Sequence, residues 1–174
     1  MAWVFGLSVD CGPNKDTAEL FSAHFDAVSW TLSNNTQSQC HTTIFQDIDD
    51  NWWCRVCPDG LSEIGIESPD SAYLMTERGI FLYQHLKSSP TYRFALVGVE
   101  VDEFRTHNEL LDDATDLDCP GLVLSETLWR SIDQPSTFRP FSPGYVWRPY
   151  EGEVYQPLVV SSKLQEQMNT LLAA

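Results

Sequence analysis

Residues 68–101 hold two patterns back to back that few folds accommodate together. From Ser68-Pro69-Asp70 onward, Tyr73, Leu74, Ile80, Phe81 and Leu86 recur near a helical period, with Glu77 and Lys87 outside the stripe, until Ser88-Ser89-Pro90 ends it. Pro69 suits a first helical position, where an N–H would have no partner, and Ser68 suits the cap. The spacing predicts a long helix over about 69–88. Gly79 inside it costs about 1 kcal/mol relative to Ala, so it marks a close crossing over a sheet. The next run, Tyr92 to Val101, is nearly continuous in its apolarity and rich in β-branched and aromatic residues, as a strand buried on both faces is. That strand belongs at the middle of the sheet.

The first third of the chain reads as strands and turns around one short helix. Trp3 to Val9 ends at the turn cluster Cys11-Gly12-Pro13-Asn14, and Ala18, Leu20, Phe21, Phe25 and Val28 follow near helical spacing, with Asp16 or Thr17 to cap them. The polar stretch Ser33 to Gln39 has no apolar face and separates two runs suited to strands, Val28–Leu32 and Thr42–Ile48. Asp49-Asp50-Asn51 then turns the chain into Trp52–Cys57, and Pro58-Asp59-Gly60 turns it again. The fold class expected is α+β: a mainly antiparallel sheet of about five or six strands, with the 69–88 helix packed on one face.

Charge divides the chain in two. Residues 1–137 carry 22 Asp and Glu against 7 Lys and Arg, whereas residues 138–174 carry three of each and are neutral. The second region interleaves Phe138, Phe141, Tyr145, Trp147, Tyr150 and Tyr155 with Pro140, Pro143, Pro149 and Pro157. Such a composition favours an extended chain over a sheet interior. The organisation expected is an acidic body over 1–137 and an arm over 138–174, ending in a short helix from Ser161 and packed on the body or on a second copy of the chain. Six aromatics in eighteen residues need cover, because each buries roughly 150–250 Å².

Composition excludes several classes of function. A hydrophobic fraction of 43% is too high for disorder, and a net charge of −15 repels phosphate backbones and anionic membranes. No apolar run reaches the roughly 20 residues of a membrane-spanning helix, and no basic segment precedes the brief apolar start as in a signal peptide. Five cysteines is an odd number in a chain large enough to fold without staples, which places the protein in a reducing cytoplasm.

The cysteines also carry the one metal reading. Cys40-His41 and Cys54-x-x-Cys57 supply four zinc-type donors within eighteen residues. Adjacent residues of a strand point to opposite faces, however, so Cys40 and His41 share a metal only across a bend. A structural zinc stands against the default of buried thiols, and no other cofactor is expected. The Trp before Cys54-x-x-Cys57 resembles a redox pair, but a turn follows where a thiolate-stabilising helix is needed. Asp47-Ile48-Asp49-Asp50-Asn51 begins like a calcium loop and fails at Trp52, where a Gly is required.

The acidic focus lies over 102–118, where Asp102, Glu103, Glu109, Asp112, Asp113, Asp116 and Asp118 face a single Arg105. His107 sits among them, where neighbouring carboxylates should favour its charged form. There is no Gly-x-Ser-x-Gly elbow and no phosphate-cradling loop. Two functional classes remain. The first is an acidic binding or regulatory protein, of the inhibitor or immunity type, that meets a basic protein with those seven carboxylates. The alternative is an enzyme with dispersed catalytic residues in an aromatic-lined pocket.

Overall fold

Strand β1 (Phe5–Gly12) alternates large and small residues, and all eight are buried. Phe5, Leu7, Val9 and Cys11 join one core while Gly6, Ser8 and Asp10 face the other side, so β1 can only lie in the interior of a sheet covered on both faces. In the computed structural model, which describes residues 4–61, 65–101, 104–114 and 117–173, that is its position. It pairs antiparallel with β4 (Trp52–Pro58) on one side and β5 (Phe94–Val99) on the other.

The remaining strands are β2 (Ser29–Thr31), β3 (Gln37–Gln46), β6 (Val123–Ser125), β7 (Arg139–Ser142) and β8 (Tyr145–Trp147). Among the described residues they complete one open antiparallel sheet in the order β2-β3-β4-β1-β5-β6-β8-β7. The α+β class therefore holds, but the sheet has eight strands instead of five or six. The extra strands are short ones in segments that read as loop or arm. Pro140 is accommodated because β7 is an edge strand, where a missing N–H breaks no ladder. Within the 138–174 region β7 and β8 pair with each other, and β8 pairs with β6.

Helices cover both faces. On the first lie α1 (Lys15–Phe25), capped by Asn14 and burying Ala18, Phe21 and Phe25, and α2 (Pro69–Leu86). The start of α2 is as the sequence reads: Ser68 and Ser71 exchange side-chain-to-backbone bonds at 3.2 and 3.1 Å in a capping box. The helix ends at Leu86, and Glu77, expected outside the apolar stripe, is buried, its carboxylate accepting from Ser33 N–H and Oγ–H at 3.1 and 3.0 Å. The Tyr83 hydroxyl donates to Gly121 O at 2.7 Å and accepts from Val97 N–H at 3.2 Å, which pins α2 to β5 and to the turn before β6. Gly79 does mark a close crossing, though of the arm: a β-carbon there would lie 2.7 Å from the Tyr150 hydroxyl. Two further helices, α5 (Pro157–Val160) and α6 (Ser162–Ala173), pack along α2 through Leu158, Leu164, Met168 and Leu171.

The second face carries α3 (His107–Asp112) and α4 (Glu126–Ser131), whose Leu110 and Leu128 pack with Trp53, Phe94, Leu96 and Leu124. Among the described residues, no helix is long and apolar enough to cross a membrane.

Candidate functional site

The end of the sheet where β1 stops and β5 begins gathers the chemistry. At Asp10 the register with β4 slips into a bulge, and Gly12 takes φ +84°, a conformation that suits glycine. The Asp10 carboxylate is completely buried. Both its oxygens are taken by Arg93, from Nε at 2.7 Å and Nη2 at 2.8 Å, and Gly12 N–H adds a third bond at 2.8 Å. Burial raises the Asp10 pKa, against the opposing pull of the Arg93 guanidinium and the Gly12 N–H.

Two acidic segments flank this pair. In the β3–β4 hairpin, Asp47 Oδ1 accepts from Asp49 N–H (2.9 Å) and Asn51 N–H (3.0 Å), and Oδ2 accepts from Trp53 Nε1 (2.8 Å). Those three bonds hold a tip on which Asp49 and Asp50 are exposed and Ile48 is 88% exposed. On the other flank, Thr106 caps α3 and the Glu109 carboxylate accepts Thr106 N–H at 2.7 Å. His107 opens α3 close enough to Arg93, Asp10 and Asp47 for their charges to act on it. Its pKa is lowered, first by burial and then by the Arg93 charge, which corrects the expectation that carboxylates would keep it charged.

Between α3 and the β6–α4 segment lies a cleft of about 320 Å³, lined by Arg93, by His107 and Leu111 of α3, and by Ser125, Thr127, Leu128 and Ser131. Ser125 Oγ accepts from Leu128 N–H at 3.3 Å and Ser131 Oγ donates to Leu128 O at 2.6 Å, so both hydroxyls are committed to the α4 backbone. Leu111 supplies an exposed apolar wall.

Of the seven carboxylates singled out in the sequence, Asp102, Glu103 and Asp116 lie outside the described residues. Glu109 caps its own helix, Asp113 pairs with Arg105 at 2.8 Å, and Asp118 pairs with Arg148 at 2.6 Å. Among the described residues, Asp112 forms no ion pair, and neither do Asp49 and Asp50 of the facing hairpin. Sequence reasoning missed Asp10, Arg93 and Ile48. A lone Asp at the end of an apolar strand was the available signal for the first.

The sheet divides the four zinc-type donors. Cys40 and Cys54 are buried on the α1 face, with Cys54 opposite Ile44, and His41 stands opposite Cys57 on the other face. Burial pushes the Cys40 and Cys54 thiols up to about 12, and His41 Nε2 lies 3.8 Å from Asp59. Among the described residues, no three His, Cys, Asp or Glu side chains converge as metal ligands. Comparison of the chain with known protein families, curated proteins and solved structures finds no match.

Proposed function

We propose that this chain is an acidic binding protein, of the inhibitor or immunity type, that receives a basic protein at the end of the sheet between the β3–β4 hairpin and α3. One observation carries the reading. Arg93, Arg105 and Arg130 are already engaged within the chain, by Asp10, Asp113 and Glu126, while among the described residues Asp49, Asp50 and Asp112 have no ion pair and stand near the exposed Ile48 and Leu111. Unpaired carboxylates around exposed apolar side chains suit a partner whose Lys and Arg stems pack on Ile48 and Leu111 while their heads reach the acids. The test is affinity for basic globular proteins between about 0.01 and 1 M salt, where the Debye length falls from about 30 to 3 Å. Binding should weaken steeply with salt and with Asp49→Asn, Asp50→Asn and Asp112→Asn combined. Salt-independent binding would favour the enzyme alternative, with Arg93 and His107 contacting a small substrate in the cleft.

A second interface is supported by the arm. Val154 (59% exposed), Tyr155, Val159 and Val160 (77%) are exposed apolar side chains in a region of zero net charge, where two copies of a −15 chain would meet with less repulsion than at its acidic body. Self-association there would survive high salt and be lost in Val159→Glu with Val160→Glu, as sedimentation would show.

A further inference from the structure

We infer that the outer edge of β3, over residues 41–46, receives an extended basic segment of the partner as an added strand. This rests on the basic-partner reading and specifies how such a partner docks.

In an antiparallel ladder, successive residues turn their N–H and C=O to opposite neighbours. The bonds Asp47 N–H to Asn51 O (3.0 Å) and Asp59 N–H to Gln39 O (2.9 Å) turn the odd-numbered residues of β3 toward β4. Cys40 N–H to Val28 O (2.7 Å) and Ala27 N–H to Cys40 O (3.3 Å) turn the even-numbered ones toward β2. But β2 pairs only with Gln37, Ser38 and Gln39. Beyond Cys40, therefore, Thr42, Ile44 and Gln46 point their backbone groups away from the sheet, and among the described residues no backbone group meets them. The open stretch is about 20 Å long at roughly 3.3 Å per residue.

Open edges are usually shortened, bulged, or guarded by Lys or Pro. β2 and β7 are three and four residues long, whereas β3 has ten, in regular register with β4 from Cys40 to Gln46, and contains neither Lys nor Pro. Charge decides the occupant. The tip acids Asp49 and Asp50 stand at one end of the stretch, and exposed Asp26, next to Ala27 and so to Cys40, stands at the other; among the described residues none of the three is ion-paired. A second copy would bring the same acids against them. A strand carrying Lys or Arg near its ends would match both, with main-chain bonds giving affinity and the acids giving selectivity.

The test uses the whole chain and two synthetic heptapeptides of sequence Lys-Val-Lys-Val-Lys-Val-Lys, one plain and one N-methylated at alternate residues to remove the donors of one edge. Both have the same charge. The plain peptide should bind at least tenfold more tightly, and should slow amide exchange at Thr42, Ile44 and Gln46 at least tenfold, while Thr43 and Phe45, already bonded to β4, stay unchanged. If both peptides bind alike and exchange at the three amides is unaltered, strand addition is overturned and the basic-partner reading stands. Binding by neither overturns both.

Discussion

At the scale of single residues, the buried Asp10–Arg93 pair is held by complementarity. Removing one member of such a pair leaves a charge without water or partner, at a cost of about 3–5 kcal/mol. Arg93→Met should lose about 3 kcal/mol, the low end, because the Arg93 side chain is 27% exposed and water can reach the space it vacates. Urea denaturation measures this, and a loss below about 1 kcal/mol would mean that the pair is dispensable. The second residue-level device is His24 against His85. Their rings stack at 4.3 Å, and each Nε2 lies within 3.2 Å of the other residue's backbone carbonyl, tying the end of α1 to the end of α2. Burial, aided by the His85 charge, lowers the His24 pKa. The folded state then binds fewer protons than the unfolded one. Stability is complete above about pH 6.5 and declines as the pH falls through that value toward the folded pKa. Denaturation midpoints at about pH 7.5 and 5.5 should differ less in His24→Gln than in the parent chain.

At the scale of elements, α2 shows what periodicity reveals and what it hides. Its length, its Ser68 cap and Pro69 start were legible because they depend on neighbours in the chain. That Tyr150 lies against Gly79 was not, since 71 residues separate them and only the packed structure brings them together. Gly79→Ala should destabilise despite Ala's helix preference of about 1 kcal/mol, because the added carbon collides with a fully packed ring and overpacking costs about 1–3 kcal/mol. Adding Tyr150→Phe, which removes the hydroxyl nearest that carbon, should restore part of the loss. Tyr83→Phe should cost about 2 kcal/mol by orphaning Val97 N–H and Gly121 O. The strands from 139 to 147 escaped the sequence reading because alternation is too brief to register over three or four residues, and Pro140 argued against a sheet without revealing an edge. The site was half legible for a related reason. The acids in and around α3 lie close together in sequence, as does the Arg105 that pairs with Asp113, but the opposite hairpin and the Arg148 that pairs with Asp118 come from distant segments.

For the whole molecule, charge and cover act together. The neutral region supplies Phe141, Trp147, Tyr150, Leu164, Met168 and Leu171 to the main core, and β8 pairs with β6. Deleting residues 138–174 should leave an aggregating chain, because it bares that core and opens the β6 edge together. A soluble, stable monomer after deletion would show that the core closes without them. The net charge of −15 bears on the flank of β3 in another way. A bare strand with Thr, Ile and Phe along it is a template for its own kind, and at neutral pH mutual repulsion opposes edge-to-edge stacking of copies. Near the isoelectric point of about 4.3 that repulsion vanishes. Acidifying a solution of the intact protein should therefore nucleate fibrils, and the same heptapeptide that seats on the strand should delay them.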